Sequence, residues 1–274
     1  SLDANQTGDA NVAVGRSSLG NNTTADSNTA VGFKALFNNT TASNNTALGR
    51  SALQENTTGQ NNVAVGANAL DASTSGEANT AIGRNSLTTL TTGPGNIAIG
   101  RGTLYSTTSG GYNVALGLYA MYYNTTGASN IGIGQNAVEK LTTSSNNIGI
   151  GKQALYLKET GNPSIAIGYQ ALYNQSTGGY AVGIGYEAAR DATTASTFVA
   201  IGYRSQKHST GSGNICVGGH TMEGANSSGS NNTVMGMQAL AKHTSGNNNS
   251  VFGYQAGFDL TSGYNNSFFG NVAG

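Results

Sequence analysis

"NNTALGRSALQENTTGQ", residues 44–60, holds three Asn, three Thr, two Gly and only two Leu, poor material for a hydrophobic core. Moved on by one unit it falls almost onto "QNNVAVGANALDASTSG" (60–76), and moved again it falls onto "ANTAIGRNSLTTLTTG" (78–93). The segment matters as one turn of a period. Anchored on a glycine, the period runs Gly15, Gly32, Gly49, Gly66, Gly83, Gly100, Gly117, Gly134, Gly151, Gly168, Gly185 and Gly202, each seventeen residues after the last. Gly218, Gly236, Gly253 and Gly270 follow, with one sixteen-residue unit and one eighteen-residue unit cancelling each other. Sixteen short units in series are the signature of a stacked architecture rather than of a globule.

Numbering each unit with its leading Asn as 1 and the anchor glycine as 5 exposes the pattern. Position 4 is large and apolar (Val14, Val31, Leu48, Val65, Ile82), position 8 is Ala, Ser or Thr, and position 9 is mostly Leu. An Asn, a Gly and a Thr-Thr-Gly or relative in nearly every unit exclude a helix, and short β-rich runs bounded by Gly and Asn read as strands and turns. Each unit is therefore expected to form two short strands, at positions 1–4 and 7–10, with Gly at the first corner and Thr-Thr-Gly at the second. One such coil loses about 1–2 kcal/mol of backbone entropy per residue and buries few aliphatic side chains, worth about 1.5–3 kcal/mol each, so it cannot stand alone. Stacking shares backbone hydrogen bonds and places like on like, so Asn11, Asn28, Asn45 and Asn62 are expected to form an amide ladder. The fold class that follows is all-β, a parallel β-solenoid of sixteen 17-residue coils continuous over residues 1–274.

Composition narrows the function. Only 9% of residues are charged, twelve basic against twelve acidic, so no field steers the chain to nucleic acid or anionic lipid. No apolar run is long enough to cross a membrane as a helix. Cys216 stands alone and makes no internal disulfide. Position 3 is Ala or Gly in twelve units, and it points away from the face that positions 2 and 4 share. Taking the large residues as the coil's core leaves a row of small ones, Ala30, Ala47, Ala64, Ala81 and Ala98, as the expected seam between chains. Closure about an axis with two further copies of the chain is the preferred arrangement.

"NTAVGFKALFNNTTASN" (28–44) and "SIAIGYQALYNQSTGGY" (164–180) resemble the head repeats of trimeric autotransporter adhesins. They resemble more closely the Asn-Thr-Ala-Ile-Gly-Tyr-Gln-Ala-Leu repeats of phage-type tail fibre proteins. The resemblance spans nearly all of residues 11–274. It implies a left-handed parallel β-roll, a homotrimer, and an adhesive or host-recognition role outside the cell, on a virion tail fibre or a bacterial surface. The chain starts and stops within a unit, and is expected to be a slice of a longer fibre.

Motifs that carry chemistry have plainer readings here. "GIGQNA" (132–137), "GIGKQA" (149–154) and "GIGYEA" (183–188) imitate a dinucleotide fingerprint but lack its helix, so no cofactor is expected. His208, His220 and His243 fall at different repeat positions with no second ligand at metal spacing. Cys216 reads as a small buried apolar side chain, no Ser has a His and an acid arranged around it, and no catalytic or metal residues are expected. Triplets such as Asn39-Thr40-Thr41, Asn56-Thr57-Thr58 and Asn124-Thr125-Thr126 are turn residues where the repeat needs a turn. An ice-binding solenoid is disfavoured because the Thr pairs lie in turns and are interrupted by Ser75, Ser109, Ser144 and Glu159. The candidate contacts with a cell-surface glycan or protein are two tyrosine rows, Tyr169, Tyr186 and Tyr203 at position 6, and Tyr105, Tyr122, Tyr156 and Tyr173 at position 10.

Overall fold

Each unit contributes one strand to the computed structural model, which describes residues 1–274 and contains no helix. The chain divides into two units, Ser1–Ser145 and Asn146–Gly274. The first holds β1 (Val12–Val14), β2 (Thr29–Val31), β3 (Thr46–Leu48), β4 (Val63–Val65), β5 (Thr80–Ile82), β6 (Ile97–Ile99), β7 (Val114–Leu116) and β8 (Ile131–Ile133). The second holds β9 (Ile148–Ile150), β10 (Ser164–Ile167), β11 (Ala181–Ile184), β12 (Val199–Ile201), β13 (Ile215–Val217), β14 (Thr233–Met235), β15 (Ser250–Phe252) and β16 (Ser267–Phe269). Within each unit successive strands pair in parallel with like positions opposed, as in Ala30↔Ala47 and Val251↔Phe268. The fold is an all-β parallel solenoid whose strand register is the sequence period.

The sixteen- and eighteen-residue coils keep that register: Val199 pairs with Ile215, and Ile215 with Thr233. The length changes are absorbed outside the strands, and the longer coil carries an additional left-handed residue, Asn226, with φ 57°. The anchor glycine makes the first corner as expected. Gly32 has φ +134°, and a Cβ there would lie 2.5 Å from the carbonyl oxygen of Gly49 in the next coil. Both the dihedral and the close approach of two backbones require glycine.

The second strand expected at positions 7–10 does not form. Two consecutive tight turns replace it, closed by Ala35 N–H donating to Gly32 O and Asn39 N–H donating to Leu36 O, both at 3.3 Å. Positions 7 and 9 take left-handed dihedrals coil after coil, for instance Lys34 at φ 55° and Leu36 at φ 50°. Such a dihedral costs a non-glycine residue about 1–2 kcal/mol. The cost is offset because each of these amides finds a neighbouring coil, Leu36 N–H reaching Ala52 O at 3.0 Å and Lys34 N–H reaching Arg16 O at 3.1 Å. The Leu side chain is then buried entirely, as Leu36, Leu53, Leu70 and Leu87 are, for about 1.5–3 kcal/mol each.

The faces of the strand are also reversed from expectation. Ala30, Ala47, Ala64, Ala81 and Ala98 are fully buried inside the coils of the single chain, so they form no seam between chains. The large residues of positions 2 and 4 face outward instead: Ile97 is 40% exposed and Ile99 37%. The interior of most coils is filled by Ala or Gly at position 3, a small residue at position 8, Leu at position 9 and the Asn amide at position 1, while Val234 and Val251 take position 3 in a cluster with Met222 and Leu240. The expected Asn ladder is present. Asn62 accepts from Asn79 N–H at 2.9 Å, and Asn62 donates through Nδ2 to Gly76 O at 2.8 Å, while both amides are buried.

Candidate contact surface

Position 6 follows directly on the glycine corner, so its side chain leaves the coil where the backbone turns. Repetition stacks it on its counterpart one unit on. In the second unit Tyr169 and Tyr186 stack with ring centres 5.0 Å apart, and Tyr186 and Tyr203 at 5.3 Å. His220 closes the row edge-on at 5.1 Å from Tyr203. All three tyrosines are exposed. The position 10 row is brought together in pairs, Tyr105 on Tyr122 at 4.8 Å and Tyr156 on Tyr173 at 5.0 Å, with nearly parallel rings that are only half-buried.

A charge network that the sequence did not reveal flanks the position 6 row. Glu187, 8% exposed in its side chain, receives Lys207 Nζ at 2.7 Å, Arg204 Nε at 2.9 Å and Arg190 Nη1 at 3.2 Å. Burial alone would raise the Glu187 carboxyl; the hydrogen bond and charge of Lys207, with Arg190 and Arg204, outweigh it and hold the carboxyl below its ordinary value. Arg190 also binds Asp191, which pairs with His208 Nδ1 at 2.6 Å. The Arg204 guanidinium lies 5.2 Å from the Tyr203 ring centre. The network anchors one side of the tyrosine row, using residues three, seventeen and twenty apart. Only the period, applied to charges as well as to apolar residues, could have signalled it.

The other candidates resolve into structure. His208 and His220 each face a single carboxylate, Asp191 and Glu223, and His243 lies buried with Nδ1 3.1 Å from Ser227 Oγ. No three His, Cys, Asp or Glu side chains converge as metal ligands. Cys216 is fully buried and its thiol is pushed far up by that burial, which removes nucleophilic character. Asn39, Asn56 and Asn124 are inside the coils, each donating to the carbonyl three residues on, so their role is to close the turn. Thr57 and Thr91 donate their hydroxyls to Thr74 O and Thr108 O in the next coil, both at 2.9 Å. No helix is long and apolar enough to cross a membrane.

A further hollow lies in the first unit, lined by Arg84, Asn85, Arg101, Tyr105, Tyr119 and Tyr122, with a volume of about 170 Å³. Of its residues only Tyr105 and Tyr122 were expected as contacts; the signal that could have found the rest is arginine at position 6 in two successive units. No family model matches the chain, and neither a curated protein nor a solved structure is significantly similar to it.

Proposed function

We propose that this chain is a structural and adhesive segment of a homotrimeric fibre, the left-handed β-roll of a phage-type tail fibre shaft or host-recognition region. The observation that supports the reading is the outward aliphatic face. Val12, Val14, Leu48, Ile82, Ile97 and Ile99 are all exposed along one sheet in the first unit, where a solvated parallel strand would ordinarily carry polar residues. Two further copies, each presenting the same rows, would cover it through a closed cyclic arrangement. The seam on this reading is made by positions 2 and 4. The exposed Tyr169, Tyr186 and Tyr203 lie on a different segment of the coil and stay available to a receptor glycan or protein, for which rigid amphipathic tyrosine is well suited.

Sedimentation equilibrium tests the assembly. The expected mass is three chains, and a folded monomer is expected for the Ile97→Glu/Ile99→Glu variant; a monomeric unaltered chain would overturn the proposal. Replacing Tyr169, Tyr186 and Tyr203 together by Ser tests the contact. Lost cell binding with an intact trimer supports it, and unchanged cell binding by the folded variant removes the row from the contact surface.

A further inference from the structure

We propose that the hollow lined by Arg84, Asn85, Arg101, Tyr105, Tyr119 and Tyr122 binds a carboxylate-bearing sugar. The inference rests on the adhesive reading above and names a ligand class and a second contact site for it.

Charge stacking makes the first argument. A residue repeated at one position sits one strand spacing, about 4.8 Å, from its counterpart, so like charges in successive coils repel. Elsewhere the chain relieves this with carboxylates. Arg204 and Lys242 pair with acids seventeen residues away, Glu187 and Asp259, and the like-charged neighbours Arg190 and Lys207 share Glu187. Arg84 and Arg101 occupy position 6 of successive coils, are both exposed, and have no carboxylate partner. Two arginines that line one hollow from adjacent coils without a counter-charge leave guanidinium donors for an external anion, and the planar guanidinium suits a carboxylate.

Aromatic geometry makes the second. Tyr105 and Tyr122 stack at 4.8 Å with 3° between their planes, and Tyr119 meets Tyr122 edge-on at 5.4 Å, giving the hollow two walls. Tyr119 can occupy its place because position 7 of the preceding coil is Gly102, where a Cβ would lie 2.8 Å from the Tyr119 ring. Arg101 Nη2 donates to Tyr119 Oη at 2.5 Å and its guanidinium lies 5.4 Å from that ring's centre, so Arg101 is positioned rather than loose. A sugar ring offers apolar C–H faces to tyrosine and hydroxyls to the Asn85 amide. An adjoining hollow of about 210 Å³, lined by Tyr119, Tyr122, Tyr123 and Glu139, extends the aromatic surface towards a neighbouring sugar residue, with the Glu139 carboxylate already held by Asn136 and Lys140. The arrangement is polar at both ends and aromatic between them, a match for an acidic oligosaccharide rather than for a free inorganic anion.

The test is calorimetric titration of the unaltered chain with tetragalacturonic acid and with its fully methyl-esterified form. Saturable binding of the acid is expected, with binding weakened about tenfold or more by esterification and by the Arg84→Gln/Arg101→Gln pair, the size expected for the loss of a charge-assisted bond. Circular dichroism checks that this exposed double variant folds. Tyr169→Ser/Tyr186→Ser/Tyr203→Ser should bind the acid unchanged. Equal binding of acid and ester, undiminished binding by the arginine variant, or no saturable binding of the acid would each overturn the proposal. So would tighter binding of a sulfated neutral tetrasaccharide than of the uronate. Cell binding followed in parallel separates the two readings: cell attachment that persists without uronate binding overturns this site alone.

Discussion

The coils of the first unit from Asn28 to Asn130 and those of the second unit at Ser164 and Ala181 meet the same requirement in different ways. In each of them a carbonyl of the closing turn takes its hydrogen bond from a buried side chain. In the first unit the position 1 Asn supplies the donor from fourteen residues away, as Asn79 does for Gly93 O at 2.9 Å and Asn96 for Gly110 O at 2.9 Å. In the second unit Ser164, Ala181 and Phe198 replace three successive Asn; for the first two, position 12 of the preceding coil lengthens instead, to Lys158 and Gln175, while before Phe198 it is Ala192. Lys158 Nζ donates to Gly178 O, and Gln175 Nε2 donates to Ala195 O at 3.4 Å, each from twenty residues away. The constraint is on the donor at the turn, and Asn is one way to meet it.

The substitute leaves orphans of its own. Ser164 Oγ and Gln175 Oε1 are buried without partners, and burial lowers the Lys158 ammonium to about 8. In the same place β10 and β11 run to four residues where β1 to β8 have three.

Removing a ladder amide from the first unit should have the largest effect. Asn79→Leu strands Gly93 O and the Asn96 N–H, and at about 1–3 kcal/mol for each orphaned group the loss should be about 2–6 kcal/mol, read from denaturant unfolding. Ser164→Ala, which removes a hydroxyl that has no partner, should cost less than about 1 kcal/mol by the same measure. Equal losses would erase the distinction between the two regions.

Restoring the first unit's solution in the second is the next test. Lys158→Asn combined with Ser164→Asn returns Asn to positions 12 and 1, and should raise stability by about 1–3 kcal/mol by giving Gly178 O a neutral donor. A decrease would show that the local backbone has committed to the lysine.

Lys158 also carries a pH signature. Its folded value of about 8 lies below the unfolded 10.5, so between these the unfolded chain binds the extra proton. Stability should therefore rise with pH from about 8 to 10.5, as the penalty of burying the charge is lifted. Melting temperatures of Lys158→Met subtracted from those of the unaltered chain isolate this rise from tyrosine ionisation; a flat difference across the window would contradict it.

The smallest effect is expected at His243, the buried occupant of the same repeat position further along. Burial lowers its imidazole below the ordinary 6.5, so acidification protonates the unfolded chain first and stability falls as pH drops below about 6.5. His243→Asn, which installs the residue found at that position in Asn22 and Asn39, should flatten the fall between pH 6.5 and 5. An unchanged slope would assign the acid sensitivity to other groups.

Much of this was legible in the sequence, and the exceptions have physical causes. Period, strand position, glycine corner and Asn ladder follow from residues whose chemistry admits little else. The turns at positions 7–10 escaped because small-Leu spacing imitates a strand, and nothing in Leu36 or Leu53 announces a left-handed dihedral; the next coil imposes it. The faces were reversed because alternation tells which side chains share a face without telling which face is inside. The tyrosine stacking followed directly from the period. The Glu187 network and the Arg84–Arg101 hollow need the same stacking applied across several positions at once, together with the room made at Gly102.

The in-register pairing of Ala30 with Ala47 and of Val251 with Phe268 has a consequence for inheritance. Gain or loss of seventeen codons returns every surviving side chain to an equivalent neighbour, so the length of such a gene can change in whole quanta. A change of one codon has to be taken up in a turn of its own coil, as each of the two coils between Gly202 and Gly236 does. Recombination between repeats is therefore the mutational route that this architecture forgives, while drift at a single corner is blocked by the backbone of the following coil.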